Sequence, residues 1–173
     1  MVEIRPLRYD DIIPIAKAFA DLGWNKPASQ YEGYLSEQDS GQRLVLVANI
    51  NENFAGYLTI VWESSYPPFR ESGIPEIVDF NVLPKFQRQG IGTQLMDAAE
   101  KKIAARSSIA GIGVGLTRDY GAAHILYIKR GYLPDGQGIS WNGKFCQYGD
   151  QVIVDDGLEI CFTKKLTKHK TSG

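Results

Sequence analysis

Long hydrophobic runs, cysteine, histidine and an excess of either charge are all scarce in this 173-residue chain. No stretch approaches the roughly 18 uninterrupted apolar residues of a membrane-spanning helix, so no membrane partner is expected. The opening Met1-Val2-Glu3-Ile4-Arg5 has no apolar core of a secretory signal, and the protein reads as cytoplasmic. Two cysteines, Cys146 and Cys161, build no disulfide framework, and neither has a partner at CxxC spacing. With only His124 and His169 beside them, no metal site is expected. A formal net charge of −1 argues against nucleic acid as a partner, since such domains cluster a basic excess on one face. The densest basic run, Lys164 to Lys170, lies at the end and reads as part of a solvated tail over residues 167–173.

What is present is an ordinary globular composition, 43% apolar and 23% charged, at a length that fits one domain over residues 1–166. Val2 to Leu7 alternates as a first strand. Asp10 and Asp11 offer an N-cap to a helix carrying Ile12, Ile15, Ala16 and Phe19, closed by Gly23. A second helix is expected over about Ser29–Gln38. Leu44–Ile50 and Phe54–Trp62 read as strands joined by a turn at Asn51-Glu52-Asn53. Glu63–Ile74 reads as a loop, Ile77–Leu83 as a strand, and Gly90–Arg106 as a helix with Ile91, Leu95, Ala99 and Ile103 in one stripe. Ile109–Leu116 looks like a strand covered on both faces. A last helix, about Gly121–Arg130, is closed by Gly131. Ile139–Trp141, Asn142-Gly143 and Lys144–Cys146 form a hairpin with a type I′ turn signal, and Leu158, Ile160 and Phe162 alternate in a final strand. The order implies an α/β domain with a mixed sheet and helices on both faces.

Between strand Ile77–Leu83 and the following helix stands Gln87-Arg88-Gln89-Gly90-Ile91-Gly92-Thr93. A strand, a glycine-bearing turn and a helix N-terminus aim free backbone N–H groups at one point, which suits a phosphate. No Gly-Lys-Ser/Thr follows, so the turn is not a P-loop. Leu95 occupies the place of a third glycine, so it is not the dinucleotide fingerprint either. Taken alone, the turn also fits a plain helix start with two incidental glycines.

The pattern Gln/Arg-x-x-Gly-x-Gly/Ala between strand and helix resembles the pyrophosphate-binding signature of the GCN5-related N-acetyltransferase (GNAT) family. The preceding Asp79-Phe80-Asn81-Val82-Leu83-Pro84 resembles that family's fourth strand. Leu126-Tyr127-Ile128-Lys129-Arg130-Gly131-Tyr132 resembles its Leu-Tyr-x-Lys-x-Gly-Phe signature, about 40 residues further on. The resemblance runs from the first strand to Leu166 and implies the GNAT acyl-CoA N-acyltransferase fold. One departure is Asp119, where the family often carries Asn before the alanines of the last helix, here Ala122 and Ala123. Asp119 is able to cap that helix through its carboxylate.

The resemblance implies acetyl-CoA as co-substrate, lying between the strands Ile77–Leu83 and Ile109–Leu116. The N–H groups of residues 88 to 93 would meet its pyrophosphate. The backbone around Phe80, Asn81, Val82 and Leu83 would pair with its pantetheine arm as an added strand does. Gln87, Asp119, Ala122 and Tyr127 would complete the cofactor contacts. A bulge in the fourth strand would leave an N–H to polarise the thioester carbonyl.

The implied reaction moves an acetyl group to a primary amine in a ternary complex. Attack needs a neutral amine, and an alkyl amine has a pKa of roughly 10, so a base is required. Glu76 and Asp79 are the candidates. By strand parity they lie on opposite pleats, and Glu76 stands 14 residues before Gly90, the offset of the glutamate base in the family's histone-modifying branch. Tyr127 would protonate the departing thiolate. His124 reads as a helix-surface histidine, and Cys146 has no neighbour in sequence to activate it as a nucleophile.

The acceptor, a small-molecule amine or a peptide or protein amine, would meet the first two helices, the Glu63–Ile74 loop and the Pro134–Asp156 segment. Their aromatics and carboxylates suit a cation, and equally an ordinary core rim. A monomer and a homodimer are both compatible with the sequence. The alternative to an enzyme is an acetyl-CoA sensor that keeps the cradle and lacks turnover.

Overall fold

The structure, a computed structural model, describes residues 1–167. The tail expected over 167–173 therefore lies, beyond Thr167, outside the described residues, as does His169. The chain divides into two compact units: Met1–Trp62 with Val78–Lys102, and Glu63–Ile77 with the chain from Ile103 onward.

The first unit begins with β1 (Val2–Pro6), an edge strand whose Pro6 removes one backbone donor where none is needed in a central ladder. Helix α1 (Ile12–Ala20) buries Ile12, Ile15 and Phe19 at helical spacing. Asp11 does not cap it through its side chain. The Asp11 carboxylate accepts the Arg8 N–H at 2.8 Å and both ends of the Arg5 guanidinium at 2.7 and 2.8 Å. Helix α2 (Ala28–Asp39) follows Pro27, whose fixed φ suits a helix entry. Strands β2 (Arg43–Ile50) and β3 (Asn53–Val61) form the expected hairpin. Asn51 and Glu52 both take left-handed backbone, φ 47° and 65°, as a type I′ turn requires.

Strand β4 (Glu76–Val82) contributes Val78–Val82 to this unit, and α4 (Ile91–Ala104) packs Ile91, Leu95, Met96 and Ala99 inward. The core gathers Leu7, Ile12, Ile15, Phe19, Tyr31, Val45, Val47, Tyr57 and Leu83. Each such side chain removed from water contributes about 1.5–3 kcal/mol. Gly56 of β3 is required by close approach, because a Cβ there would lie 2.6 Å from the Asn81 carbonyl oxygen.

In the second unit the sequence segment Glu63–Ile74, expected as loop, contains a short helix, α3 (Pro67–Glu71). Pro67 at its first turn is pre-set for helix, a signal that the Pro-rich composition masked. Strand β5 (Ile109–Gly115) pairs in parallel with the start of β4, Glu76 opposite Gly111 and Ile77 opposite Ile112. Helix α5 (Gly121–Lys129) ends where Gly131, at φ 93°, donates to Ile128 O and Tyr132 donates to Tyr127 O, both at 3.0 Å. That is the Schellman closure expected of Gly131.

Strand β6 (Leu133–Trp141) is longer than the Ile139–Trp141 expected. It bends between Pro134 and Ile139, where Gly136 and Gly138 take positive φ. The predicted hairpin to β7 (Lys144–Phe145) is present, with Asn142 and Gly143 both left-handed. Strand β8 (Leu158–Lys165) lies between β5 and β6, antiparallel to both. The strand order is β1-β2-β3-β4-β5-β8-β6-β7, a mixed sheet whose β4–β5 pair is parallel. Among the described residues no helix is long and apolar enough to cross a membrane.

Candidate active site

In the first unit the chain leaves β4 through Leu83 into a 3₁₀ turn, Pro84–Phe86, and reaches α4 through the predicted glycine turn. Arg88 and Gly90 both hold left-handed backbone, at φ 59° and 78°. Gly90 takes it without strain, and this turns successive N–H groups outward. Among the described residues no backbone carbonyl accepts from the N–H groups of residues 88 to 93. Six donors and the N-terminus of a 14-residue helix thus form a positive cradle. Gly92 is needed for packing, since a Cβ there would lie 3.2 Å from Phe80 Cζ. The loop braces itself: Gln87 donates to Val82 O at 3.0 Å, and Gln89 donates to Lys85 O at 3.1 Å. Thr93 is exposed on the first turn. Leu83 departs from its expected role. Its N–H donates to Ala55 O and its carbonyl accepts from Phe86, so it is a packing residue with its backbone already engaged.

Strand β4 is interrupted at Asp79, which has φ 52°. Asp tolerates left-handed backbone better than most residues, and such an irregularity breaks the two-residue alternation. The parity rule that set Glu76 and Asp79 on opposite pleats therefore has no regular strand to act on. Each of the two has its own surroundings.

Asp79, in the first unit, accepts five donors. Lys26 Nζ at 2.7 Å and Asn81 Nδ2 at 2.8 Å reach Oδ1. The hydroxyls of Tyr57 and of Tyr34 (2.9 Å), with Gln30 Nε2 at 3.1 Å, reach Oδ2. Burial opposes its charge, and the Lys26 and tyrosine hydrogen bonds together outweigh burial, holding the carboxyl below its ordinary range. Its lone pairs are filled and its proton affinity is low. The tyrosines are driven the other way, by burial first and then by the charge of Asp79, so Tyr57 and Tyr34 stay protonated donors. Tyr31 extends the network to Tyr57 at 3.3 Å.

Glu76, in the second unit, is 6% exposed and accepts one hydroxyl, that of Ser64. Burial raises its pKa, and the Ser64 hydrogen bond only partly opposes this. A buried carboxylate whose pKa is raised holds a proton more readily than an exposed one does. Glu159, unforeseen in the sequence, is pushed up to about 7 by burial and by the charge of Glu76.

Tyr127 is 5% exposed on α5, tilted against Tyr132. Burial, then the neighbouring Tyr120, raises its pKa, so its hydroxyl is a donor at any physiological pH. His124 is not the surface residue expected. It is half-buried, at 2.8 Å from the Gly115 carbonyl, which only accepts, so Nε2 carries the hydrogen. Asp119 does not cap α5, whose N-cap is Tyr120 with no side-chain cap. Its carboxylate accepts instead from the Thr117 hydroxyl. Ala122 is exposed on the first turn of that helix. Cys146 and Cys161 are both free thiols. Of the aromatics read as acceptor contacts, Tyr31, Tyr66 and Phe69 are buried core residues.

The residues missed in the sequence, Lys26, Gln30, Tyr57, Ser64 and Glu159, share no local pattern with β4. Lys26, Gln30 and Tyr57 reach Asp79 across 53, 49 and 22 residues, and Ser64 reaches Glu76 across 12. A lone lysine between Asn25 and Pro27 carries no signal of its partner.

Comparison with known proteins agrees with this geometry. The family model described as "Acetyltransferase (GNAT) family" matches residues 9–132. No curated protein matches the chain in sequence. Among solved structures, an N-acetyltransferase from Staphylococcus aureus Mu50 superposes with TM-score 0.71 at 15% identity, covering 96% of this chain and 99% of that one. The PaiA N-acetyltransferase of Thermoplasma acidophilum, solved in complex with coenzyme A, gives 0.65 at 14% identity over 95% and 99%. A ribosomal-protein-alanine N-acetyltransferase from Brucella melitensis gives 0.70 at 17% identity, again over 95% and 99%. At such identities the likeness is one of fold, and the family model supplies the rest. The chain belongs to the GNAT acetyltransferase family.

Proposed function

We propose that this protein transfers an acetyl group from acetyl-CoA to a primary amine by direct attack, with residues 1–166 acting as one catalytic domain. The observation that carries the reading is the run of unbonded N–H groups from Arg88 to Thr93 at the start of α4. Six successive unbonded donors at the start of a helix, with its dipole, suit a diphosphate.

In this reading Phe80, Asn81 and Val82 present backbone to the pantetheine arm, and the irregular backbone at Asp79 frees a donor for the thioester carbonyl. Glu76 takes the proton from the attacking nitrogen as the C–N bond forms and the C–S bond breaks. The Tyr127 hydroxyl donates to the leaving sulfur and is reprotonated from solvent. Asp79 serves as the anchor of its hydrogen-bonded cluster rather than as a second base, because its pKa is lowered and its oxygens are saturated. The amine is borne by a small molecule or by a peptide or protein. What supports an amine acceptor is the family and the retained pair of Glu76 and Tyr127.

The test is thiol release from acetyl-CoA across a panel of small amines and peptide N-termini. Amine-dependent release supports transfer. Coenzyme A binding with no release on any acceptor overturns it in favour of a sensor.

A further inference from the structure

The face of the second unit that carries Glu76 holds a second feature. The pairing registers put Glu76 opposite Gly111, Gly115 opposite Glu159, and Glu159 opposite Ser140. Directly opposed residues share a face, so these side chains converge on one side of the sheet. Between them β5 offers Gly111, Gly113 and Gly115, three positions without a Cβ. Phe69 covers Gly111 and Tyr120 covers Gly115. Over Gly113 lies the Glu159 carboxylate, and a Cβ there would come within 2.5 Å of its Oε2. The glycine row thus lets Phe69, the Glu159 carboxylate and Tyr120 lie directly on the sheet, on the face that also carries Glu76 and Ser140.

Nothing among the described residues neutralises it. Glu159 accepts no hydrogen bond and forms no ion pair, and Glu76 has only Ser64. Ser140 is 2% exposed, yet its Oγ has no partner. A buried hydroxyl without a partner costs stability unless a ligand completes it, and the half-buried Glu159 stands opposite it in the register. The described residues hold no group of three or more ligands able to bind a metal ion, so an organic cation is the complement.

We propose that Glu159 and Ser140 bind the ammonium head of the acceptor, a primary alkylamine, on the sheet face they share with Glu76. This deepens the transfer reading and rests on it for the term acceptor. The upward push on Glu159 by burial and by Glu76 is the electrostatic debt that such a cation would relieve. The other titratable groups of this face are neutral or anionic. Asp135 accepts the Tyr66 hydroxyl at 2.7 Å, Asp156 accepts that of Tyr120 at 3.0 Å, and the Cys161 thiol is raised by burial. The bound ammonium would give one proton to Glu159 and, as its nitrogen forms the C–N bond, a second to Glu76, whereas an alcohol of the same shape brings no charge to pair.

The experiment is an NMR titration of the full-length chain, without acetyl-CoA, using n-butylammonium chloride and n-butanol at pH 7.5. Butylammonium is expected to shift Gly113, Ser140 and Glu159 in a saturable manner, and butanol is expected not to. Glu159→Gln should weaken butylammonium binding about tenfold or more, the effect of losing a charged hydrogen-bond partner. Ser140→Ala, a smaller change, should weaken it by a lesser factor and guards against misfolding of the first variant. Equal binding of the alcohol, shifts located elsewhere, or affinity unchanged in both variants would overturn the proposal. Because no acetyl-CoA is present, a chain that passes this titration and releases no thiol refutes transfer while leaving the cation site standing.

Discussion

Replacing Asp79 by Asn separates an anchor from a base. Asp79 and Lys26 are each 19% exposed and meet at 2.7 Å, with four further donors on the carboxylate. Asn keeps the shape, removes the charge, and turns an amide N–H toward groups that are themselves donors. Breaking one partner of a buried pair in this way costs about 3–5 kcal/mol. For a chain of this size each kcal/mol lowers Tm by roughly 2–4 °C, so a drop of about 10 °C is expected. The loss carries a pH signature. The folded pKa of Asp79 is depressed, so its contribution is present above the unfolded value of about 3.9 and disappears as pH falls through the folded value. The gap between wild type and Asp79→Asn should therefore begin to narrow as pH falls below about 4 and close only below the folded value. Adding Lys26→Met should recover part of the loss by removing the orphaned cation. Calorimetry across pH, with turnover measured well below both Tm values, checks the whole set. An unchanged Tm with turnover down a hundredfold would refute the argument and make Asp79 a base.

Glu76→Gln should lower kcat/KM about a hundredfold with Tm unchanged or raised, since the amide still accepts from Ser64 and no longer carries a buried charge; loss of Tm with activity intact would reverse that assignment. Tyr127→Phe should lower kcat about tenfold or more with little change in acetyl-CoA affinity, and an unchanged kcat removes its role as acid. Gly90→Val puts a β-branched residue at φ 78° and should weaken coenzyme A binding at least about tenfold by calorimetric titration, while equal binding would dissociate the loop from the diphosphate. Glu159 has its folded pKa raised from 4.5 to about 7, so its contribution is complete below pH 4.5 and is lost as pH rises through 7. Glu159→Gln, which never ionises, should then exceed wild type by about 1–2 kcal/mol at pH 8 once solvent screening of a half-exposed group is allowed for, and equal thermal melts would contradict it.

Local signals in the sequence carried most of the architecture. Asn51-Glu52, Asn142-Gly143 and Gly131 each sit where left-handed backbone closes a turn or a helix, and the residues able to adopt it stand there. The cradle was legible for the same reason, being a contiguous stretch whose glycines have one geometric use. The surroundings of the carboxylates were not legible. Asp79 and Glu76 look alike in a list of residues, and what separates a saturated anion from a proton acceptor is whether Lys26, Tyr57 and Tyr34 or only Ser64 lies opposite. Those partners come from the segment before α2, from α2, from β3 and from the segment before α3, brought in by tertiary packing rather than by spacing. The resemblance implied a bulge in the fourth strand but not its place at Asp79, which strand periodicity does not reveal, because periodicity assumes the regularity that a left-handed residue removes. Pro67–Glu71 was lost to composition, since prolines that mark a loop also mark the first turn of a helix.

The most direct test of acetyl transfer by direct attack is the initial rate of thiol release with acetyl-CoA and a primary amine varied together. Release that depends on the amine, with double-reciprocal lines that intersect, is the predicted result. Release independent of the amine, or parallel lines pointing to an acetylated cysteine, would contradict it.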